Sequence, residues 1–285
     1  MFSAFIRFVR TKKNGKIITA IRNTALYKKT IGYIWALFVL HNYYPPKNNF
    51  YIENAERINA VEDMLADCKS KRTYRGIMKY RHSRKIWDYP FFCQEYTEYF
   101  IRELKLTDDE VFIDCGAYDG DTLDAFLKHC SDFRRIIAFE PQARNFELIE
   151  KKYGDNQKIT LINAGVYDKD GELLFYGEDG SSSSGIDEEN GNVKIKVKAI
   201  DNLNLEYVSF IKMDIEGAEY NALKGARETI LRDKPKLAIC IYHSDDDMIR
   251  IAEYIHELVP EYKLYVRQHS PLPNFHEVVL YAFYG

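Results

Sequence analysis

The stretch from Val111 to Thr122, VFIDCGAYDGDT, constrains the fold more than any other part of the chain. Val111-Phe112-Ile113 is short, apolar and partly β-branched, as a strand buried on both faces of a parallel sheet must be. Asp114, Gly116 and Gly120 then make a sharp turn, and Leu123, Phe126, Leu127 and Cys130 recur at helical spacing. A strand, a glycine turn and a helix form a cradle for an adenosine-bearing cofactor, because glycine lets the backbone approach a ligand closely.

The residues between the glycines decide which cofactor fits. A dinucleotide site needs G-x-G-x-x-G, whose amides hold a pyrophosphate. Here the pattern is D-x-G-x-x-x-G, with Ala117, Tyr118 and Asp119 between the glycines. Asp114, Asp119 and Asp121 put negative charge where a phosphate would sit, which favours a cationic ligand. S-adenosylmethionine carries a sulfonium and an ammonium and meets that requirement.

Three further strand ends follow. Ile136-Ile137-Ala138-Phe139 ends in Glu140-Pro141, and an acid there takes ribose hydroxyls while proline starts a helix. Ile159 to Val166, ITLINAGV, reads as a third strand and a loop from which Asn163 and Gly165 face an adenine edge. Phe210 to Glu219, FIKMDIEGAE, reads as a fourth strand ending in Asp214, then a helix. Polar residues at four successive carboxyl ends place one crevice above a parallel sheet. A fifth strand over 237–242, a sixth over 262–266 and a seventh over 277–283 complete the pattern. The short turn between the last two requires them to pair antiparallel.

DCGAYDGDT, AFEP, NAGVYD, IKMDIEGAE, IYHSDDD and YVRQHS, in this order, resemble the FkbM-like methyltransferases from about Glu95 to the end of the chain. The resemblance implies a Rossmann-like class I sheet of seven strands, six parallel and the seventh reversed. It also implies S-adenosylmethionine as methyl donor and a hydroxyl of a sugar, glycan or other natural product as acceptor. The usual third glycine of the class I loop is replaced by Tyr118. Two rival readings are a nicotinamide oxidoreductase on a similar scaffold, which the acidic loop opposes, and a cofactor-binding protein without turnover. Nucleic acid is not the expected acceptor, since no N-P-P-Y or S-P-P-Y segment follows the fourth strand.

With 285 residues, of which 46% are hydrophobic, the chain holds one α/β domain and an added helical portion. We divide it into a basic segment over 1–50, a helical extension or lid over 51–106 and a methyltransferase domain over 107–285. Five cysteines without C-x-x-C spacing point to reduced thiols in the cytoplasm. The charge is uneven: residues 1–52 carry nine basic side chains and no acid, so against a net charge of −3 the rest carries −12. Phe2, Phe5, Ile6 and Val9 share one helical stripe, and the apolar run over 33–40 is too short to span a bilayer. The segment either touches an anionic membrane surface or a polyanionic substrate, or packs its apolar side on the catalytic domain. It does not have the form of a signal peptide.

Ile58, Val61, Leu65 and Cys68 continue at helical spacing, and Ser70 is a candidate cap for a helix through Met78 and Tyr80. Gln94, Tyr96 and Tyr99 precede the first strand, within reach of the crevice or of the core. Between strands over 172–176 and 193–199 lies a serine-rich excursion, in which Ser182 and Ser183 either line a sugar site or decorate a plain hairpin.

Methyl transfer from a sulfonium is an in-line displacement, so the protein aligns the acceptor hydroxyl and takes its proton. His243, after the fifth strand, and Asp214 are the leading catalytic candidates. Glu216 ranks behind them, since alternation points it away if Asp214 points inward. Ser244 and Asp245 are expected to cap the following helix. Arg267 and His269, after the sixth strand, are candidates for an anionic group on the acceptor. Asp214, Asp245 and Asp246 offer oxygens without a fixed ligand spacing, and no metal is expected.

Overall fold

The computed structural model describes residues 49–83, 88–90, 98–176, 185–186, 191, 193–270 and 276–284. Residues 1–48 of the basic segment, Gln94, Tyr96, Ser182 and Ser183 lie outside the described residues.

Short helices α1 (Phe50–Glu53), α2 (Ala55–Met64) and α3 (Cys68–Ser83) come first. They lead into β1 (Val111–Cys115), α4 (Asp121–His129), β2 (Arg135–Phe139), α5 (Ala143–Tyr153) and β3 (Ile159–Ile162). A second sheet follows, built from β4 (Gly165–Val166), β5 (Gly171–Tyr176), β6 (Gly185–Ile186) and β7 (Val193–Lys198). The chain then returns through β8 (Phe210–Met213), α6 (Glu219–Lys224), α7 (Arg227–Asp233), β9 (Lys236–Cys240), α8 (Asp247–Leu258), β10 (Lys263–Gln268) and β11 (Val278–Phe283).

The main sheet has the order β10-β11-β9-β8-β1-β2-β3, and β11 alone runs antiparallel to its neighbours. The seven-stranded class I arrangement is present. The expected third strand divides, however: β3 stays in the main sheet, while Gly165 and Val166 pair with β7 in the second sheet.

Side-chain alternation along β1 explains its apolar run. Val111, Ile113 and Cys115 enter one core with α6, α7 and α8, and Phe112 enters the other with α4 and α5. Phe112 stacks between Phe126 at 4.6 Å and Phe210 at 4.9 Å. The remaining residue on that face is Asp114, opposite Lys212 of β8, with Lys212 Nζ 3.0 Å from its Oδ1. Each of two otherwise apolar strands thus carries one charge, and the charges neutralise each other under the crevice.

The helical extension is one body with the sheet. Leu65 bridges Leu264 in parallel, and the Ala66 amide donates to the Leu264 carbonyl at 2.8 Å. That bridge breaks the predicted helix between Met64 and Cys68. Asp67 caps α3, its Oδ1 accepting the Ser70 amide at 2.6 Å. Ser70 lies inside the helix rather than at its cap, and its hydroxyl accepts from the Val266 amide and from Arg267. Ser244 does support the start of α8, accepting the Asp247 amide at 3.0 Å. Asp245 instead accepts from Tyr51 and Arg81, tying the extension to the sheet. Among the described residues, no helix is long and apolar enough to cross a membrane.

Candidate active site

A cleft of about 640 Å³ opens at the carboxyl ends of β1, β2, β8 and β9. Its first wall is the glycine turn. Gly116 has φ +84, and a Cβ placed there would lie 2.1 Å from the Asp214 carbonyl oxygen. The amides of Gly116 and Ala117 both donate to the Phe139 carbonyl, and Lys212 Nζ donates to the Gly116 carbonyl at 2.7 Å. The loop is therefore clamped between β2 and β8.

Glu140 joins the β1 and β2 loops. Its carboxylate accepts the Tyr118 and Gln142 amides, each at 2.9 Å, and burial pushes its pKa up despite those bonds. Tyr118, Glu140, Gly116, Gly165 and Asp214 all line the cleft, as expected for cofactor contacts.

The other four expected contacts do not line it. Asp114 is fully buried and faces Lys212, with burial pushing its pKa up to about 6. Ala117 is buried, and Gly120 shapes the entry to α4 against the Tyr153 ring. Asn163 braces the turn after β2 by donating to the Glu140 carbonyl at 2.8 Å.

At the opposite end, Asp214 accepts hydrogen bonds from the hydroxyls of Tyr99 at 2.7 Å and Tyr242 at 3.2 Å. Burial pushes the Asp214 carboxyl up, but Lys212, His243 and the Tyr99 hydroxyl outweigh it and hold the group low. His243 Nε2 stands 3.6 Å from Asp214 and 3.5 Å from Glu216, and its Nδ1 is 3.1 Å from Glu219. Burial lowers the imidazole pKa, yet the three carboxylates prevail and raise it to about 9.

Glu216 departs from the alternation argument. β8 ends at Met213, and Glu216 (φ +56) and Gly217 (φ +96) turn the chain so that Asp214 and Glu216 both face the cleft. Burial pushes Glu216 up to about 7.

Arg267 and His269 are corrections to the substrate assignment. Neither lines the cleft, because β11 separates β10 from β9 and carries the β10 end away from the crevice. Arg267, 1% exposed, donates to Asp67 at 2.7 Å, Glu103 at 2.8 Å and Ser70 at 2.7 Å. His269 meets the Tyr281 hydroxyl at 2.7 Å, and burial pulls its pKa down to about 3, so it is neutral.

Sequence reasoning missed Lys212, Glu219, Glu98 and Glu277. A lysine inside an apolar strand was a legible signal for the first. Glu219 was hidden as one polar residue in a helix start, although it is fully buried. Glu98 and Glu277 line the cleft from outside the four strand ends, and burial pushes Glu98 up to about 7.

A family model described as "Methyltransferase FkbM domain" matches residues 114–272, more than half of the chain. The chain belongs to the FkbM methyltransferase family. Within it, the methyltransferase FkbM from Methylobacillus flagellatus KT superposes with a TM-score of 0.69 at 27% identity, over 82% of this chain and 60% of that one. The 2-O-methyltransferase NoeI of Sinorhizobium fredii (strain NBRC 101917 / NGR234) is 21% identical over 149 residues, 44% of this chain and 61% of the relative. The chain thus spans about three fifths of the length of each relative.

Proposed function

We propose that this FkbM-family protein transfers a methyl group from S-adenosylmethionine to a hydroxyl of a sugar or glycan. The observation that carries the reading is the acidic cleft itself. Glu98, Asp121, Glu140, Asp214, Glu216 and Glu277 line it against only Lys212 and the histidines. One oxygen of Glu98 is buried with no hydrogen-bond partner. An excess of carboxylate, one of them unsatisfied, fits a ligand bearing an ammonium and a sulfonium and opposes a pyrophosphate. The NoeI relative, named a 2-O-methyltransferase, supports oxygen as the accepting atom.

Bound S-adenosylmethionine supplies a sulfonium methyl, which passes to the acceptor oxygen as the carbon–sulfur electron pair leaves with sulfur. The chain's own residues arrange the rest. Gly116 lets the loop after β1 pack directly against the Asp214 backbone, and Glu140 holds the loop that faces the ribose. Tyr99 and Tyr242 fix Asp214, so it orients the acceptor rather than taking its proton. Glu219 is sealed from solvent, whereas Glu216 keeps a carboxylate side chain 39% exposed at the cleft. Its exposure at the cleft supports Glu216 as the proton acceptor for the hydroxyl.

Calorimetric titration with S-adenosylhomocysteine, with NAD as the alternative ligand, tests the cofactor. A panel of glycan acceptors then tests turnover. Glu216→Gln is expected to bind the homocysteine product normally and to lose about 10²- to 10⁴-fold in turnover. NAD binding in place of the homocysteine product overturns the reading in favour of an oxidoreductase.

A further inference from the structure

The cluster around His243 holds buried polar atoms without hydrogen-bond partners. Glu219 is fully buried, with one oxygen accepting the Ile215 amide at 2.8 Å and the other lacking any hydrogen bond. Both His243 ring nitrogens are also buried without a hydrogen bond, although carboxylate oxygens surround them. Polar atoms removed from water and left unsatisfied are costly, and a ligand held between them would relieve that cost.

We propose that Asp214, Glu219 and His243 form a divalent cation site. One ligand atom from each lies within 4.8 Å of the others. The three are the first residue after β8, the first residue of α6 and the third residue after β9. The Asp214 amide donates to Cys115 of β1, which fixes the Asp214 backbone. The Tyr99 and Tyr242 hydroxyls orient its carboxylate from a second layer, as outer partners of metal ligands do. Two carboxylates and one imidazole suit a first-row divalent ion such as Mn²⁺ better than an all-oxygen calcium cage. Asp245 and Asp246, the oxygens singled out in the sequence, are instead paired with Arg81 and with Arg57 and Arg250. The cation's role rests on the methyl-transfer reading: beside Glu216 it takes the acceptor oxygen as a further ligand and makes its proton easier to remove.

The test is Mn²⁺ titration of the chelator-stripped full chain, followed by the electron paramagnetic resonance of free Mn²⁺. One saturable site per chain is expected in the wild type. Glu219→Gln and His243→Ala should each abolish it while melting cooperatively. Should Glu219→Gln fail to fold, His243→Ala decides alone, since it removes a side chain at the cleft wall. No saturable Mn²⁺ binding by the wild type, or equal binding by the folded variants, overturns the site. Homocysteine-product binding is measured on the same wild-type sample. That binding without Mn²⁺ binding removes the cation site and leaves the methyltransferase reading, and the converse leaves the cation site and removes that reading.

Discussion

Gly116→Ala is the smallest change that should disable the cleft. The added methyl would lie 2.1 Å from the Asp214 carbonyl oxygen and 3.2 Å from its carbon, at φ +84. Neither side yields easily: Gly116 is bonded to Phe139 and Lys212, and the Asp214 amide is bonded to Cys115. An alanine at positive φ costs about 1–2 kcal/mol. Forcing two anchored strand ends apart adds about 1–3 kcal/mol. The sum, about 2–5 kcal/mol, corresponds to a fall in Tm of roughly 4–20 °C, taking ~2–4 °C per kcal/mol for a chain of this size class. Displacing Asp214 also moves Tyr99, Tyr242 and His243 against the ligand. A misplacement of about 1 Å costs about a hundredfold, so affinity for S-adenosylhomocysteine should fall by that factor. Scanning fluorimetry and calorimetry measure the two quantities. Gly171→Ala, where a Cβ meets nothing within 4 Å, is the control and should change little. If Gly116→Ala melts and binds like the wild type, the clamping of this loop between β2 and β8 is not what shapes the site.

Arg267→Met should cost about 1–3 kcal/mol in urea denaturation, because the buried Ser70 hydroxyl loses a charged donor while Asp67 and Glu103, with side chains 34% and 42% exposed, stay partly solvated, yet leave cofactor affinity unchanged. Burial pushes Asp67 and Glu103 up, but Arg267 more than offsets it and holds both low. Their stabilising contribution is therefore complete above the unfolded carboxylate range near pH 4 and is lost as pH falls through their lower folded values. An acid-denaturation profile that Arg267→Met leaves unshifted would refute this role. Glu140→Gln removes the charged acceptor of two amides and should weaken S-adenosylhomocysteine binding about 10- to 100-fold, read by calorimetry. Deleting residues 1–48 should abolish flotation with anionic liposomes, since each basic residue near such a surface contributes about 1 kcal/mol. Equal partitioning of the two forms ends the membrane reading.

The strand ends were legible because a parallel strand buried on both faces must be apolar, and its first polar residue then marks the crevice. Asp114 shows where that rule misleads. It is polar but still within the strand, and only the register with Lys212 reveals that its partner lies inside the protein rather than in a ligand. Glu216 misled for the opposite reason: alternation holds only while extended geometry does, and a positive φ at Glu216 followed by Gly217 ends it at once. Arg267 and His269 sat after a strand, as crevice residues do, but their distance from the crevice depends on β11 inserting between β9 and β10. No local pattern encodes that long-range pairing. Glu219 lies in one helix turn and His243 beyond the next strand, so their contact depends on tertiary packing.

The Leu65–Leu264 bridge has a practical consequence for cutting the protein into parts. β10 is the last strand of the main sheet, and its outer side is occupied by the Leu65–Ala66 segment and by α3. A fragment limited to the family match at 114–272 would lack that cover, and it would also lack β11, which joins β10 to the rest of the sheet. An uncovered strand with free amides and carbonyls templates association with other chains. Such a fragment is expected to aggregate even though it holds most of the residues that line the cleft, so the helices before the sheet act as its selvedge.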